Sequence, residues 1–307
     1  MSQPQSQTLI DLSNQLAGAV ERGAESIVAV HARPQLASTG VHWRDGLVVT
    51  TNGTVRRDRD ITVTLPSGKR IEASLQGRDP STDVAVLRVA TGVLPVATLG
   101  DAGALRPGNL VLALARLDDT GARAAFGAVS VVGGAWRPWG GAEIDRLILS
   151  DVNLYPGFGG GPLVDPSGQV LGINSGRLSR PYATTLPAET VNRVIEQLAS
   201  RGYVRRGYLG ATMQPVELQQ QLRSRLGLDR GGALLVVSIE PDGPSAAGGL
   251  LVGDVIMAIA GRPVGEPEDV LKALDGDTVG RTLRLELVRG GRLEQVEVLI
   301  GERPRGH

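Results

Sequence analysis

Residues 149–175 read LSDVNLYPGFGGGPLVDPSGQVLGINS, and this stretch decides the fold. Its centre is a loop in which Gly157, Gly159, Gly160 and Gly161 surround a single Phe158. Gly157, Gly160 and Gly161 free the backbone for tight turns. The text that follows the loop, GGPLVDPSGQVLGINS, has the short apolar texture of β-structure. It joins GNLVLALARL, AAFGAVSVVGG and DRLILSDV, which precede it and read the same way.

Further upstream, ESIVAVHAR, GVHWRDGLVVTT, DITVTLPSGKR, RIEASLQGR and DVAVLRVA are β-branched runs separated by Gly, Asp, Ser and Pro. PSGK (66–69) reads as a hairpin turn. About ten strands without alternating helices argue for antiparallel barrels over a βαβ fold. Ahead of them, Leu9, Leu12, Leu16 and Val20 fall near helical spacing and predict a helix over 7–22. Its apolar stripe has to rest on the body of the protein or on another subunit.

LPAETVNRVIEQLASRG (186–202) breaks the strand pattern. Pro187 and Glu189 near its start, Val191, Val194, Ile195 and Leu198 at helical spacing, and Gly202 at its end mark a helix. The basic RGYVRR after it is the best candidate for a domain boundary. The last hundred residues form a second unit, running from RGYLGATMQPV through GGALLVVSIEP and GDVIMAIAGRPV to a helix EPEDVLKALDG. A terminal hairpin closes it, with Leu283, Leu285 and Leu287 alternating with polar residues and Gly290-Gly291 at the turn. The expected organisation is a helical segment (1–24), a β-barrel region (25–186), a linker helix and connection (187–206) and a C-terminal domain (207–304).

A 41% hydrophobic chain of 307 residues can bury sizeable cores and points to two domains. Thirty-two basic and thirty-two acidic residues cancel, which leaves no broad electrostatic footprint for nucleic acid or an anionic membrane. Only Lys69 and Lys272 are lysines, a bias that reads as genome composition. The absence of cysteine excludes disulfides, Cys-based zinc sites and a thiol nucleophile. No His, Asp and Glu cluster has metal-ligand spacing, and no cofactor is implied. No window approaches the ~18 apolar residues of a membrane span.

Taken in order, these motifs resemble the HtrA/Deg family, a chymotrypsin-like double β-barrel followed by a PDZ domain. STDVAVLRV, TLGDAGALRPGNLVLALA and LSDVNLYPGFGGGPLVDPSGQVLGINS mirror successive stretches of that family over almost the whole chain. VRRGYLGA resembles the family's entry into PDZ, and PSAAGGLLVGDVIMAIAGRPV its PDZ body. The fold class implied is mainly β.

Function lives in the site rather than the fold, so the catalytic positions are read one at a time. The family's GNSGGPL corresponds to GFGGGPL here, which places Gly159 at the nucleophile. Acyl transfer by this mechanism needs a side-chain oxygen, and glycine has none. The family's TNNHVV corresponds to TTNGTV (50–55), which puts Gly53 at the general base. Thr54 next door cannot take a proton at neutral pH as imidazole does. Asp83 survives at the orienting position, with nothing to orient; it is expected to cap a turn or pair with an Arg.

No other constellation replaces the triad. His31 and His42 lie in strands and His307 is the last residue. Lys69 and Lys272 are not placed to reach Ser150 or Ser175, and Asp118-Asp119 are consecutive in a loop. The oxyanion-hole loop Gly157, Phe158 and Gly159 can still form and hold a carbonyl or a carboxylate. Against that, the relaxed constraints at Gly53 and Gly159 favour a space filled by Phe158 or a neighbouring loop.

The resemblance also implies a peptide groove, in which a ligand adds as a strand and backbone amides catch its terminal carboxylate. Tyr208, Leu209, Gly210 and Ala211 correspond to the carboxylate loop, with Ala211 to Met213 as the edge strand. Val270, Leu271 and Leu274 on the helix wall face either the groove or the core. The reading is a pseudoprotease that binds protein C-termini or unfolded segments as adaptor, holdase or regulator of an active relative. The alternative is an active serine-type endopeptidase of protein quality control with a non-standard nucleophile and base. A third is an assembly subunit, since the family's trypsin-like body forms homotrimers; removal of residues 1–22 tests it. The N-terminus lacks the pattern of a signal peptide, which favours the cytoplasm over the family's periplasm or cell envelope.

Overall fold

The computed structural model describes residues 3–34, 36–92, 94–118, 121–138, 141–178, 183–274 and 276–303; Asp119, Pro304 and His307 lie outside them. The chain divides into two compact units, Met1–Val204 and Arg205–His307.

In the first unit, helix α1 (Gln3–Ala24) leads into twelve strands. Strands β1 (Ile27–His31), β2 (Ser38–Arg44), β3 (Leu47–Thr51), β4 (Ile61–Thr64), β5 (Arg70–Asp79) and β6 (Val84–Arg88) close one antiparallel barrel. Its order is β1-β2-β3-β6-β5-β4. Strands β7 (Leu110–Ala115), β8 (Arg123–Gly133), β9 (Leu147–Ser150), β10 (Pro162–Val164), β11 (Val170–Ser175) and β12 (Ala183–Pro187) close a second, in the order β10-β11-β12-β9-β8-β7. GVHWRDGLVVTT is thus a hairpin rather than one strand: β2 and β3 turn at Asp45-Gly46, and Gly46 sits at φ +73°. β12 has no counterpart in the sequence reading, because Pro187 at its end reads as a helix start.

The side-chain alternation of the strands builds three cores. Val28, Val30, Val48, Val63, Ala85 and Leu87 fill the first barrel. Val111, Ala113, Ile148, Phe158, Leu163 and Leu171 fill the second. Opposite faces of the same strands, including Ile27, Val49, Val84, Val86, Leu112 and Ile173, share a third core with helix α2 (Ala188–Arg201). Val191, Val194, Ile195 and Leu198 of α2 are all buried there, and Gly202 ends the helix at φ +78°. This helix, expected to be a linker, is part of the first unit: its apolar face is too well buried for a spacer. Among the described side chains of α1, those of its second half pack on the body. Ala19 is fully buried, whereas Leu9 and Ile10 are 68% and 52% exposed.

The second unit opens with β13 (Gly207–Tyr208) and β14 (Ala211–Glu217), followed by helix α3 (Gln220–Leu226), β15 (Gly232–Ile239) and the one-turn α4 (Pro244–Ala247). Then come β16 (Val255–Ile259), β17 (Arg262–Pro263), helix α5 (Pro267–Ala273), β18 (Thr282–Arg289), β19 (Arg292–Leu299) and β20 (Gly301–Glu302). The sheet runs β14-β15-β16-β18-β19, so β14 is an edge strand; β13 pairs with β20. Pro215 within β14 fits an edge, where a missing N–H breaks no ladder. Glu266 and Asp269 cap α5 reciprocally, with Pro267 at its first position.

Candidate functional site

The position that would carry a nucleophile lies at the seam of the two barrels. A short 3₁₀ turn, Asn52–Thr54, follows β3 and carries Gly53. Asp83 immediately precedes β6, and the loop between β9 and β10 carries Gly159. β11 contributes Ser175, with Arg177 two residues beyond its end.

Asp83 is buried and held at φ +58°, a conformation that a short polar side chain tolerates better than most. Its Oδ1 accepts the Gly53 N–H at 2.7 Å and its Oδ2 the Ser175 hydroxyl at 2.7 Å. The Asn52 N–H donates to its carbonyl at 2.9 Å. Burial pushes the Asp83 pKa above the ordinary carboxylate value; the bonds from Ser175 and Gly53 and the charge of Arg177 work against that rise. The expected turn-capping role therefore describes Asp83 well, and Arg177 is the cation nearby.

The Arg177 side chain also lies over Gly53, the position that the resemblance assigns to the general base. A Cβ placed on Gly53 would meet the Arg177 Cδ at 2.4 Å and its Nε at 3.3 Å. At Gly159 the situation is the reverse. A Cβ there would have the Thr51 Oγ1 at 3.6 Å and the Thr54 Cγ2 at 3.8 Å, both ordinary contacts. The hydroxyl of Thr51 and the methyl of Thr54 thus border the Gly159 position, and the hydroxyl protons of both threonines are spent inside the turn. Thr51 donates to the Thr54 Oγ1 at 3.2 Å, and Thr54 donates to the Thr51 carbonyl at 2.7 Å. Neither faces a base.

The glycine loop itself is well formed. The Phe158 N–H closes a turn onto the Tyr155 carbonyl at 3.0 Å, with Gly157 at φ +94°. The Gly157 carbonyl is pinned by the Thr39 N–H at 3.1 Å and the Thr39 hydroxyl at 2.8 Å. Gly160 N–H bonds Asn174 O and Gly161 N–H bonds Phe158 O, each at 2.9 Å. Among the described residues, the N–H groups of Gly157 and Gly159 have no partner. Phe158 does not fill the nucleophile's space as the collapse expectation had it. Its ring is buried in the core of the second barrel, edge-on to Tyr155 at 5.9 Å between centroids. The filling occurs on the base side, by Arg177.

The remaining candidates are structural. His42 is fully buried, its Nδ1 3.0 Å from the Pro95 carbonyl and its Nε2 accepting the Gly46 N–H at 3.2 Å. His31 bonds the Thr64 hydroxyl at 2.8 Å; burial first, then Arg70 and Arg57, lower its pKa. Lys272 pairs with Asp269 at 3.1 Å and Asp118 with Arg123 at 3.3 Å. No group of three His, Cys, Asp or Glu is gathered to hold a metal among the described residues. No helix among them is long and apolar enough to cross a membrane.

The second unit presents a groove of about 230 Å³ between the edge strand β14 and helix α5. All eight residues expected there line it: Tyr208, Leu209, Gly210, Ala211, Met213, Val270, Leu271 and Leu274. Val270 and Leu274 are also buried in the core, while Leu271 is only half-buried. At the closed end, Leu209 O accepts the Ser245 N–H and Gly210 O the Glu240 N–H, both at 2.8 Å. Anchored by their carbonyls, Leu209 and Gly210 keep N–H groups without a partner among the described residues. Gly210 lies at φ +71°, where other residues are strained. Arg303 also lines the groove and supplies its positive charge. The Tyr208 hydroxyl bonds Glu240, which with burial pushes the phenol pKa up, while Arg303 opposes the rise.

Arg177 and Arg303 are the residues that sequence reasoning missed. The only signal for Arg177 is relational: a glycine in place of a large side chain leaves room that a neighbouring loop fills. Arg303 follows the last strand in a basic tail with no motif to mark it.

Two barrels meeting at a glycine loop, followed by a sheet with an edge-strand groove, define the trypsin-like peptidase fold joined to a PDZ domain. Residues 38–173 match the Trypsin-like peptidase domain model and residues 207–300 the PDZ domain model. A DegP-like probable periplasmic serine endoprotease of Ectopseudomonas mendocina is 36% identical over 265 residues, 85% of this chain and 55% of the relative. One from Pseudomonas putida is 34% identical over 85% of this chain and 54% of its own length. The chain thus spans about half the length of these relatives. Among solved structures, the HtrA-type protease AlgW with decapeptide is 26% identical and covers 95% of this chain and 99% of its own, with TM-score 0.77. A serine endoprotease from Yersinia pestis aligns with TM-score 0.76 at 26% identity, covering 94% of this chain and 98% of its own. The chain belongs to the HtrA family. The curated relatives are named periplasmic, so the cytoplasmic expectation finds no support among them.

Proposed function

We propose that this HtrA-family chain binds peptides without cutting them, through the groove of its PDZ domain. One observation supports the reading: Gly53 and Gly159, the positions that correspond to base and nucleophile, carry no side chain, and Arg177 lies where a side chain on Gly53 would go. A guanidinium stays protonated at any physiological pH, so it cannot take a proton from an attacking group. Loss of a triad member leaves only the background that an oxyanion hole and binding supply, on the order of 10³–10⁴-fold over water.

The groove supplies the function that remains. Its free edge strand offers backbone pairing to an extended peptide, the free Leu209 and Gly210 amides and Arg303 suit a terminal carboxylate, and Leu271 with Met213 suits an apolar last residue. The ligands in this reading are protein C-termini or unfolded segments, and the role is adaptor, holdase or regulator of an active relative. The compartment follows the relatives' names, the periplasm. Fluorescence anisotropy with labelled peptides tests it. Peptides ending in a free carboxylate after an apolar residue should bind, and their C-terminal amides should lose at least ten-fold in affinity. Equal affinity for acid and amide, or shortening of the peptides during the titration, contradicts the reading.

A further inference from the structure

We propose that the degenerate catalytic position is itself a second, non-cleaving receptor for a carboxylate. The inference rests on the reading that this site does not cleave.

Three features converge there. The N–H groups of Gly157 and Gly159 have no partner among the described residues, while those of Phe158, Gly160 and Gly161 are all committed. Free backbone donors of this kind stabilise an oxygen that carries negative charge more than a neutral carbonyl. Next, a Cβ on Gly159 would meet no clash: its nearest neighbours, the Thr51 Oγ1 at 3.6 Å and the Thr54 Cγ2 at 3.8 Å, are ordinary contacts. Last, Arg177 lies across Gly53, on the turn whose Thr54 also borders the Gly159 position. Its guanidinium brings a fixed cation to a site where an active relative of this fold needs a neutral base.

The charge arrangement favours an anion over a peptide carbonyl. Asp83 is the acidic group of the site, and it is buried with both oxygens engaged by Gly53 and Ser175. Both of its oxygens are therefore taken, and Arg177, whose charge also acts on Asp83, is the cation beside it. One ligand oxygen takes the two glycine amides and the other takes the guanidinium. A carboxylate of this kind comes from a chain end or from an Asp or Glu side chain. No bond forms or breaks.

The test is amide-resolved NMR of the full-length chain titrated with three decapeptides. One ends in a free carboxylate, one is its C-terminal amide, and one is the amide with an internal Glu. Shifts at Gly157 and Gly159 with the free acid, absent with the plain amide, support the site and assign it to chain ends. The same shifts with the Glu-containing amide assign it to side-chain carboxylates. Arg177→Ala should weaken the response at Gly157 and Gly159 at least ten-fold and leave that at Leu209 and Gly210 unchanged; Arg177→Lys should recover part of it. Shifts confined to residues 208–211 with intact peptide, or a response at Gly159 that ignores Arg177, overturn this inference alone. Shortened peptide in the same tubes, read by mass, overturns the non-cleaving reading and this inference with it.

Discussion

At the residue scale, the loop backbone around Gly157 to Gly161 is tightly specified, and the proposed loss of activity rests on side chains and charge. Gly160 shows how tightly the loop is specified: it lies at φ +86°, and a Cβ would approach the Thr39 carbonyl and the Thr50 hydroxyl at 2.3 Å. Gly160→Ala should cost roughly 2–4 kcal/mol, read by chemical denaturation, because backbone strain and a clash with backbone act together. Gly159→Ser, by contrast, should change stability by less than about 1 kcal/mol, since φ is ordinary and the contacts are relaxed. Asp83 supplies a pH signature. A carboxyl whose folded pKa is raised binds more protons folded than unfolded, so its contribution is full below the unfolded pKa and is lost as pH rises through the folded one. Asp83→Asn has no such loss. Melting temperatures measured from about pH 4 to about pH 8 should therefore shift progressively in favour of the Asn variant. A difference that stays constant with pH would show that Asp83 is not perturbed.

At the element scale, most of the architecture is legible in the sequence because strand alternation and glycine punctuation are local signals. The terminal hairpin over 282–299 and helix α2 follow from spacing alone. β12 was not legible, since its Pro187 serves at once as the end of a strand and the cap of α2. The groove was legible through resemblance of YLGA and the following strand, whereas the split of α5 between core and groove needed burial. Leu271→Glu should abolish binding of an apolar C-terminal peptide with a stability change under about 1 kcal/mol, because that side chain is half-exposed. Leu274→Ala should instead cost about 2–4 kcal/mol, as a core truncation. Anisotropy and denaturation on the same samples separate the two. Helix α1 carries a prediction of its own. Its exposed Leu9 and Ile10 suit burial against another copy, but removal of residues 1–22 would also strip Ala19 from the core. Removing residues 1–14 leaves that contact in place and should lower the oligomeric state by light scattering; an unchanged mass would exclude α1 from assembly.

At the scale of the whole molecule, the HtrA fold is retained, and in the reading proposed here its nucleophile and base positions are both glycine. The groove of the second unit is lined by all the residues expected of it, and the proposed function places recognition there. The triad positions were legible because they sit inside strong motifs, GFGGGPL and TTNGTV. Arg177 was not, because its role arises only when β11 is brought beside the turn after β3. That is a tertiary event with no local pattern. The most direct measurement is long incubation of denatured casein with the purified chain across a range of pH, beside Gly159→Val. That variant fills the open position, whereas a change at Phe158 would damage the barrel core and serve poorly as a control. No cleavage above a mock purification by either protein is the predicted result. Cleavage by the wild-type chain that Gly159→Val abolishes would contradict the account, and would mean that another nucleophile works at this seam.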